Sequence, residues 1–274
     1  MYRVKKISYR YKNYRYSAIL LRQLVLTDFK LRYQGSVLGY LWSLLRPLLL
    51  FLILYTVFVK GLKFGSDVPN FPIFLLLGIV IWSFFAEMTS MSLTSIVSRG
   101  ELIRKIRLPR WIIVASSSVS ALISLGLNLV VVFIFMLFTG VDLMKTSILL
   151  PLILLQAYIF SLGLSLLLSA SFVKYRDVGY IWEVVLQAGF YATPIIYSLT
   201  KVSDPTIQKI ILLNPIAVAI QDARYVLVTH TTPTISSVYG GHIYRLIPYG
   251  IVVLVALGGF LYFRKEAKHF AENL

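Results

Sequence analysis

The stretch Ser98-Arg99-Gly100-Glu101-Leu102-Ile103-Arg104-Lys105-Ile106-Arg107-Leu108-Pro109-Arg110 decides how the rest of the chain is read. On either side lie apolar runs near the roughly 20 residues that cross a bilayer, and this stretch breaks them with five basic side chains. The spacing predicts a short charged helix. Leu102, Ile103 and Ile106 fall on one face of it, Glu101 precedes Lys105 by four residues, and Gly100 and Pro109 punctuate the ends. A helix of roughly two turns is too small to carry chemistry, but a rod of that size between two spans is well shaped to be gripped by another protein. The same features fit a plain basic loop that anchors the flanking spans, and periodicity does not separate the two readings.

Outward from this stretch the chain is dominated by apolar residues. Hydrophobic side chains make up 58% of the 274 residues, charged ones 14%, and the mean hydropathy is +0.80, which marks an integral membrane protein and excludes a soluble domain. The expected fold is one all-α membrane domain over 1–274 with six transmembrane helices, at 44–61, 71–97, 111–138, 148–173, 178–199 and 246–263. With no cysteine, disulfides, thiolate metal sites and cysteine nucleophiles are excluded together, and the redox compartment stays open.

Loop charge sets the orientation. Placing 1–46, 98–110, 174–177 and 264–274 on one side collects 20 of the 27 Lys and Arg, leaving Lys60, Lys63, Lys145, Lys201, Lys209, Arg224 and Arg245 on the other. The positive-inside rule then puts both termini and the 98–110 helix in the cytoplasm. The net charge of +16 becomes mainly a topology signal with attraction to anionic head groups, and nucleic acid is not an expected partner.

Residues 1–35 have no compact apolar region followed by a small-residue cleavage site, so they are expected to be retained. Residues 2–16 interleave Tyr with Arg and Lys, and 17–33 are apolar with Arg22, Asp28, Lys30 and Arg32 scattered through them. This segment is expected as an interfacial helix on the cytoplasmic surface rather than a seventh span; a partly buried extension of the first span is the alternative. The connection 200–245 is too apolar for a free loop. Its stretches 207–213 and 217–227, flanked by Pro205, Pro215 and Pro233, are expected as re-entrant helices, and 229–238 with Gly240 and Gly241 as an exposed turn.

Inside the spans, Glu87, Asn128, Gln156, Glu183 and Gln187 must face protein or a water-filled cavity, because such groups are costly in hydrocarbon. For Glu87 and Glu183, lining a path and pairing between spans fit equally. No phosphate-binding glycine loop occurs, and His230, His242 and His269 form no zinc motif, so no catalytic or metal residue is nominated.

Four motifs, in order along the chain, carry a resemblance. Residues Arg32 to Trp42 (RYQGSVLGYLW) followed by Arg46-Pro47, then Leu102 to Arg110, then Arg176-Asp177-Val178 with Thr193-Pro194-Ile195-Ile196-Tyr197, and finally Leu213-Asn214-Pro215 with Arg224-Tyr225, resemble the permease subunits of type-2 ABC exporters. Within these the chain is similar to the polysaccharide branch, which exports teichoic acids, O-antigens or capsular polymers.

The resemblance implies a homodimer in a bacterial cytoplasmic membrane, docked on two cytoplasmic ATP-binding cassette subunits that bind ATP and Mg; no cofactor is expected in this chain. The 98–110 helix then corresponds to the coupling helix, with Glu101, Leu102, Ile103, Lys105, Ile106 and Arg107 as its contact residues. The cargo would be a lipid-linked polymer, for which aromatic faces suit sugar rings and Arg46 suits a phosphate. Path candidates are Tyr40, Trp42, Arg46, Tyr55, Phe58, Trp82, Phe85, Glu87, Glu183, Gln187 and Tyr191, although membrane belts, helix packing and snorkelling account for the same residue types. The basic character suits a polyanion and favours teichoic acid. The alternatives are an exporter of a drug, peptide or lipid, and a membrane-bound transferase.

Overall fold

The computed structural model describes residues 16–28, 30, 35–39, 41–63, 65, 68–105, 109–141 and 144–273. Among them the secondary structure is helical, with no strand. In chain order the helices are α1 (16–28), α2 (Leu41–Leu54, continued as a π-helical stretch Tyr55–Gly61), α3 (Phe71–Ser98), α4 (Gly100–Lys105), α5 (Trp111–Thr139) and α6 (Leu150–Lys174). They are followed by α7 (Val178–Ala192), α8 (Pro205–Ile211), α9 (Pro215–Leu227), α10 (Ile235–Tyr239), α11 (Leu246–Glu266) and α12 (Phe270–Asn273).

Five helices are long and apolar enough to cross a membrane, or six if α8 and α9, which meet at a 100° bend, count as one broken span. The chain is a multi-pass membrane protein. Its central rod is α3: 78% of the most apolar stretch of α3 is buried inside the protein, against 11% for α2 and 22% for α11. Around it pack α5 and α6, with α11 against the far side of α6 and α2 and α7 at the periphery.

Small residues bring these rods together, as they do where lipid removes the hydrophobic drive between helices. At the α6–α11 crossing a Cβ on Gly259 would lie 2.0 Å from the Gly163 carbonyl oxygen, so only bare backbone fits. Buried serines fill much of the rest, and several of their hydroxyls bond to the preceding turn, as in Ser120 to the Ser116 carbonyl (3.0 Å) and Ser161 to the Ala157 carbonyl (2.7 Å).

Helix ends follow local chemistry. Asp204 and Asn214 cap α8 and α9 by accepting from the amides of Thr206 (2.7 Å) and Ile216 (3.0 Å), each with proline as the first helical residue. Gly140 ends α5 at φ 68°.

Two expectations change. The span placed at 178–199 is a helix only to Ala192, because Pro194 drives Thr193 into an extended conformation (ψ 140°) and stops α7 after 15 residues. The segment 229–238 is not an exposed turn: Thr229, Thr232, Thr234 and Ile235 are buried, and 235–239 form α10, which sits against α8. Elsewhere the predicted spans match α2, α3, α5, α6 and α11 within a few residues.

Candidate functional site

The first half of α2 lies beside the middle of α3 and the second half of α7, and between them is a cavity of about 880 Å³. Its position follows from how α2 is held. Pro47 has no amide hydrogen and so leaves the Ser43 carbonyl, four residues earlier, without its helical partner. Asn128 on α5 donates to that carbonyl (3.2 Å) and to its own Ser124 carbonyl (2.8 Å), pinning α2 against the bundle. One turn away, Ser124 donates to Glu87 Oε1 (3.0 Å), which holds the carboxylate at the cavity wall.

The lining is mixed by design of the three helices. From α2 come Trp42, Ser43 and Arg46; from α3, Trp82, Ser83, Glu87 and Ser90; from α7, Gln187, Phe190 and Tyr191; Ser36 adds a hydroxyl before α2. A guanidinium, a carboxylate, an amide, four serine hydroxyls and several rings therefore face one space. Such a surface offers bidentate bonding to phosphate and carboxylate oxygens, hydrogen bonds to polyols and stacking faces for sugars.

Six path candidates thus meet here: Trp42, Arg46, Trp82, Glu87, Gln187 and Tyr191. Four do not. Phe85 is buried in the bundle, stacked on Phe160 at 6.1 Å. Tyr55 stacks on Phe51 (5.6 Å) with Lys60 above its ring, and Phe58 packs on the core from the same end of α2. Glu183 is exposed on α7 in a stripe with Tyr180, Gln187 and Tyr191 at helical spacing. Tyr40 lies outside the described residues.

At the opposite end of α3 from Phe71, α4 carries the predicted ion pair, Lys105 Nζ to Glu101 Oε2 at 3.0 Å, largely open to solvent. Leu102 is half-buried. Ile103, however, turns inward to a cluster with Ile96, Ile113, Val114, Phe263 and Phe270, so it serves this chain's own packing rather than an outward knob. Ile106 and Arg107 lie outside the described residues.

Three features escaped the sequence reading. The first is Arg224, placed by charge counting among outward-facing cations but completely buried. Its Nε donates to the Phe74 carbonyl (3.0 Å), Nη1 to the Pro194 carbonyl and to Gln221 Oε1 (3.0 Å), and Nη2 to the Ile195 carbonyl (2.8 Å). The guanidinium lies 3.4 Å from the centre of the Phe74 ring. Gly78 makes the room: a Cβ there would sit 2.5 Å from Nη2. Two of the carbonyls this arginine satisfies, those of Pro194 and Ile195, lie in the irregular stretch just after α7, where no helix supplies donors. A lone arginine within the apolar run 217–227 was the available signal, since five buried donors demand acceptors.

The second is a polar tie between Asp28, Arg99 and Ser116, for which the sequence held no readable cue because the three are far apart in the chain. The third is the C-terminal helix α12, whose Phe270 is 1% exposed and meets Phe263 edge-on at 5.4 Å.

A family model described as ABC-2 type transporter matches residues 19–228. Among characterised proteins the chain is similar to the O-antigen export system permease protein RfbA of Myxococcus xanthus, at 28% identity over 95% of this chain and 97% of that protein. It is also similar to the protein of the same name from Klebsiella pneumoniae, at 29% identity over 90% of this chain and 92% of that protein.

Proposed function

The chain belongs to the ABC-2 type transporter family, and from that premise we propose that it is the membrane subunit that passes a lipid-linked surface polysaccharide of the O-antigen kind across the bacterial cytoplasmic membrane. The relatives named as O-antigen export permeases support this cargo over the teichoic acid that net charge favoured. A basic chain suits any polymer carried on a phosphate-linked lipid, so charge alone does not separate the two.

The observation that carries the reading is the cavity beside α2. Its walls include α2 and α7, and it joins Arg46 to Glu87, Gln187 and the rings of Trp42 and Tyr191. A lipid-linked glycan has three chemistries: an apolar chain, a phosphate and sugars. The apolar outer faces of α2 and α7 suit the first, Arg46 the second, and the aromatic and hydroxyl lining the third.

Power must come from a separate subunit that binds ATP and Mg, two copies for a homodimer of this chain, with α4 and the residues after it as the contact. A homodimer is supported by the α7 stripe. Glu183 and Gln187 stand exposed on a membrane-level helix, and a second copy or a shared aqueous path removes them from lipid. With the 98–110 region in the cytoplasm by its charge, Arg46 and Trp42 sit toward that side, where a lipid-linked polymer is made.

The test is depletion of the protein in its host, with the lipid-linked glycans extracted and assigned to a membrane face. Accumulation of polymer on the inner face with loss from the surface is the expected result. Unchanged surface polymer with only a loss of resistance to a small toxic compound would assign the chain to drug export instead.

A further inference from the structure

Arg99 is the one residue between α3 and α4, and its carbonyl accepts the Ile103 amide (3.1 Å), so the first turn of α4 hangs on its backbone. Its side chain reaches away from both helices. Nη1 donates to Ser116 Oγ (2.9 Å) and, at 3.4 Å, to the Ile113 carbonyl, both on α5, while Nη2 pairs with Asp28 Oδ1 on α1. Ser116 Oγ closes the ring by bonding Asp28 Oδ2 (3.2 Å).

The Asp28 and Arg99 side chains are 15% and 17% exposed, whereas the Glu101–Lys105 pair on α4 is more than 70% exposed at both partners. A pair this sheltered is screened little by salt, and loss of one partner strands the other away from water. Such a sheltered tie is better suited than a solvated pair to pass displacement between elements.

What lies at its other end gives the tie a purpose. Asp28 lies on α1, eight residues before Ser36, which lines the cavity together with Trp42 and Arg46. We infer that Arg99, Asp28 and Ser116 are positioning residues that couple α4 to the mouth of this cavity, so that a shift of α4 resets the entrance through α1. The inference rests on the exporter reading for its meaning, but the mechanical link is testable without it.

The chain has no cysteine, so one thiol introduced as Ser36→Cys reports the cavity mouth in the full-length protein. Its labelling rate by a membrane-impermeant maleimide is measured with and without Arg99→Gln, and with Asp28→Asn as the same cut from the other side. A change of at least threefold in both is expected; equal rates in a protein that inserts normally overturn the inference. If both cuts prevent insertion, the tie serves folding and the inference is likewise overturned.

Export by the complex is then compared for Asp28→Arg, Arg99→Asp and the two together. Each single reversal is expected to lower surface polymer at least tenfold and the pair to recover most of it, which a merely structural role would not do after equal insertion. Wild-type export in the single variants, or no recovery in the pair, overturns the link. A labelling change in a chain whose wild type exports no polymer would instead remove the exporter reading and leave the mechanical tie standing.

Discussion

At the scale of single residues, Arg224 shows how this fold satisfies buried backbone that lies outside a helix. Just past the end of α7 the carbonyls of Pro194 and Ile195 lie outside any helix, and each would cost about 1–3 kcal/mol if left buried without a donor. A planar fork answers them together, which a lysine with one ammonium centre cannot do. Arg224→Leu is expected to abolish folded protein in mild detergent and Arg224→Lys to lower the Tm by several degrees. Gly78→Val, which places methyls where the guanidinium lies, is expected to match the arginine loss. Fluorescence-detected size exclusion over a temperature series checks all three.

The same scale shows which side chains sequence reading identifies and which it does not. Glu87 and Gln187 stand out in the sequence because polar groups at membrane depth are rare and need a reason, and Arg46 because a guanidinium suits a phosphate. Phe85 and Tyr55 were misplaced because an aromatic ring serves a path, a belt or a core equally well, and only the neighbours on other helices decide. Phe85 finds Phe160 and Trp182; Trp82, one turn earlier, finds the cavity edge.

At the scale of elements, α4 divides its side chains between two tasks. Ile103 is 9% exposed within the cluster closed by Phe263 and Phe270, while Leu102 is partly buried and the Glu101 and Lys105 side chains are largely open to solvent. The two apolar neighbours should therefore fail differently. Ile103→Asp buries a carboxylate among apolar side chains and is expected to reduce the amount of folded protein severalfold. Leu102→Asp is expected to cost less folded protein than Ile103→Asp but to lower export at least tenfold, as the proposed contact with an ATP-binding subunit requires. Membrane yield, Tm and surface polymer, measured on the two variants side by side, separate these outcomes; equal loss of folded protein in both would remove the docking role of Leu102.

At the scale of the whole molecule, the unequal burial of the helices points to what the single chain lacks. The rods α3, α5 and α6 form a packed centre, yet α7 contributes no fully buried residue and shows the stripe Tyr180, Glu183, Gln187 and Tyr191. If that stripe faces its counterpart in a second copy, Gln187→Cys in the otherwise cysteine-free chain is expected to form a disulfide-linked dimer under mild oxidation in native membranes. Ile181→Cys, on another face of α7, is expected to form little. Equal cross-linking at both positions would argue for random collision and against a dimer through this face.

What the sequence by itself determined is whatever depends on local composition and period. Apolar runs of span length, basic residues gathered in alternate loops, the Asp-Pro and Asn-Pro starts of α8 and α9, and the i,i+4 pair Glu101–Lys105 are all properties of a segment and its immediate neighbours. Tertiary structure alone decided whatever requires distant residues to meet. Arg224 reaches a carbonyl 150 positions away, and Asp28 reaches across more than seventy residues to Arg99. The cavity likewise exists only where α2, held by Asn128 and by the packing of Phe51, lies beside α3 and α7. Hydropathy says that a residue is inside the membrane, but hydrogen-bond partners are set by which helices become neighbours, and helix neighbours in lipid are chosen by close packing of small residues such as Gly163 and Gly259 rather than by any pattern along one strand of sequence.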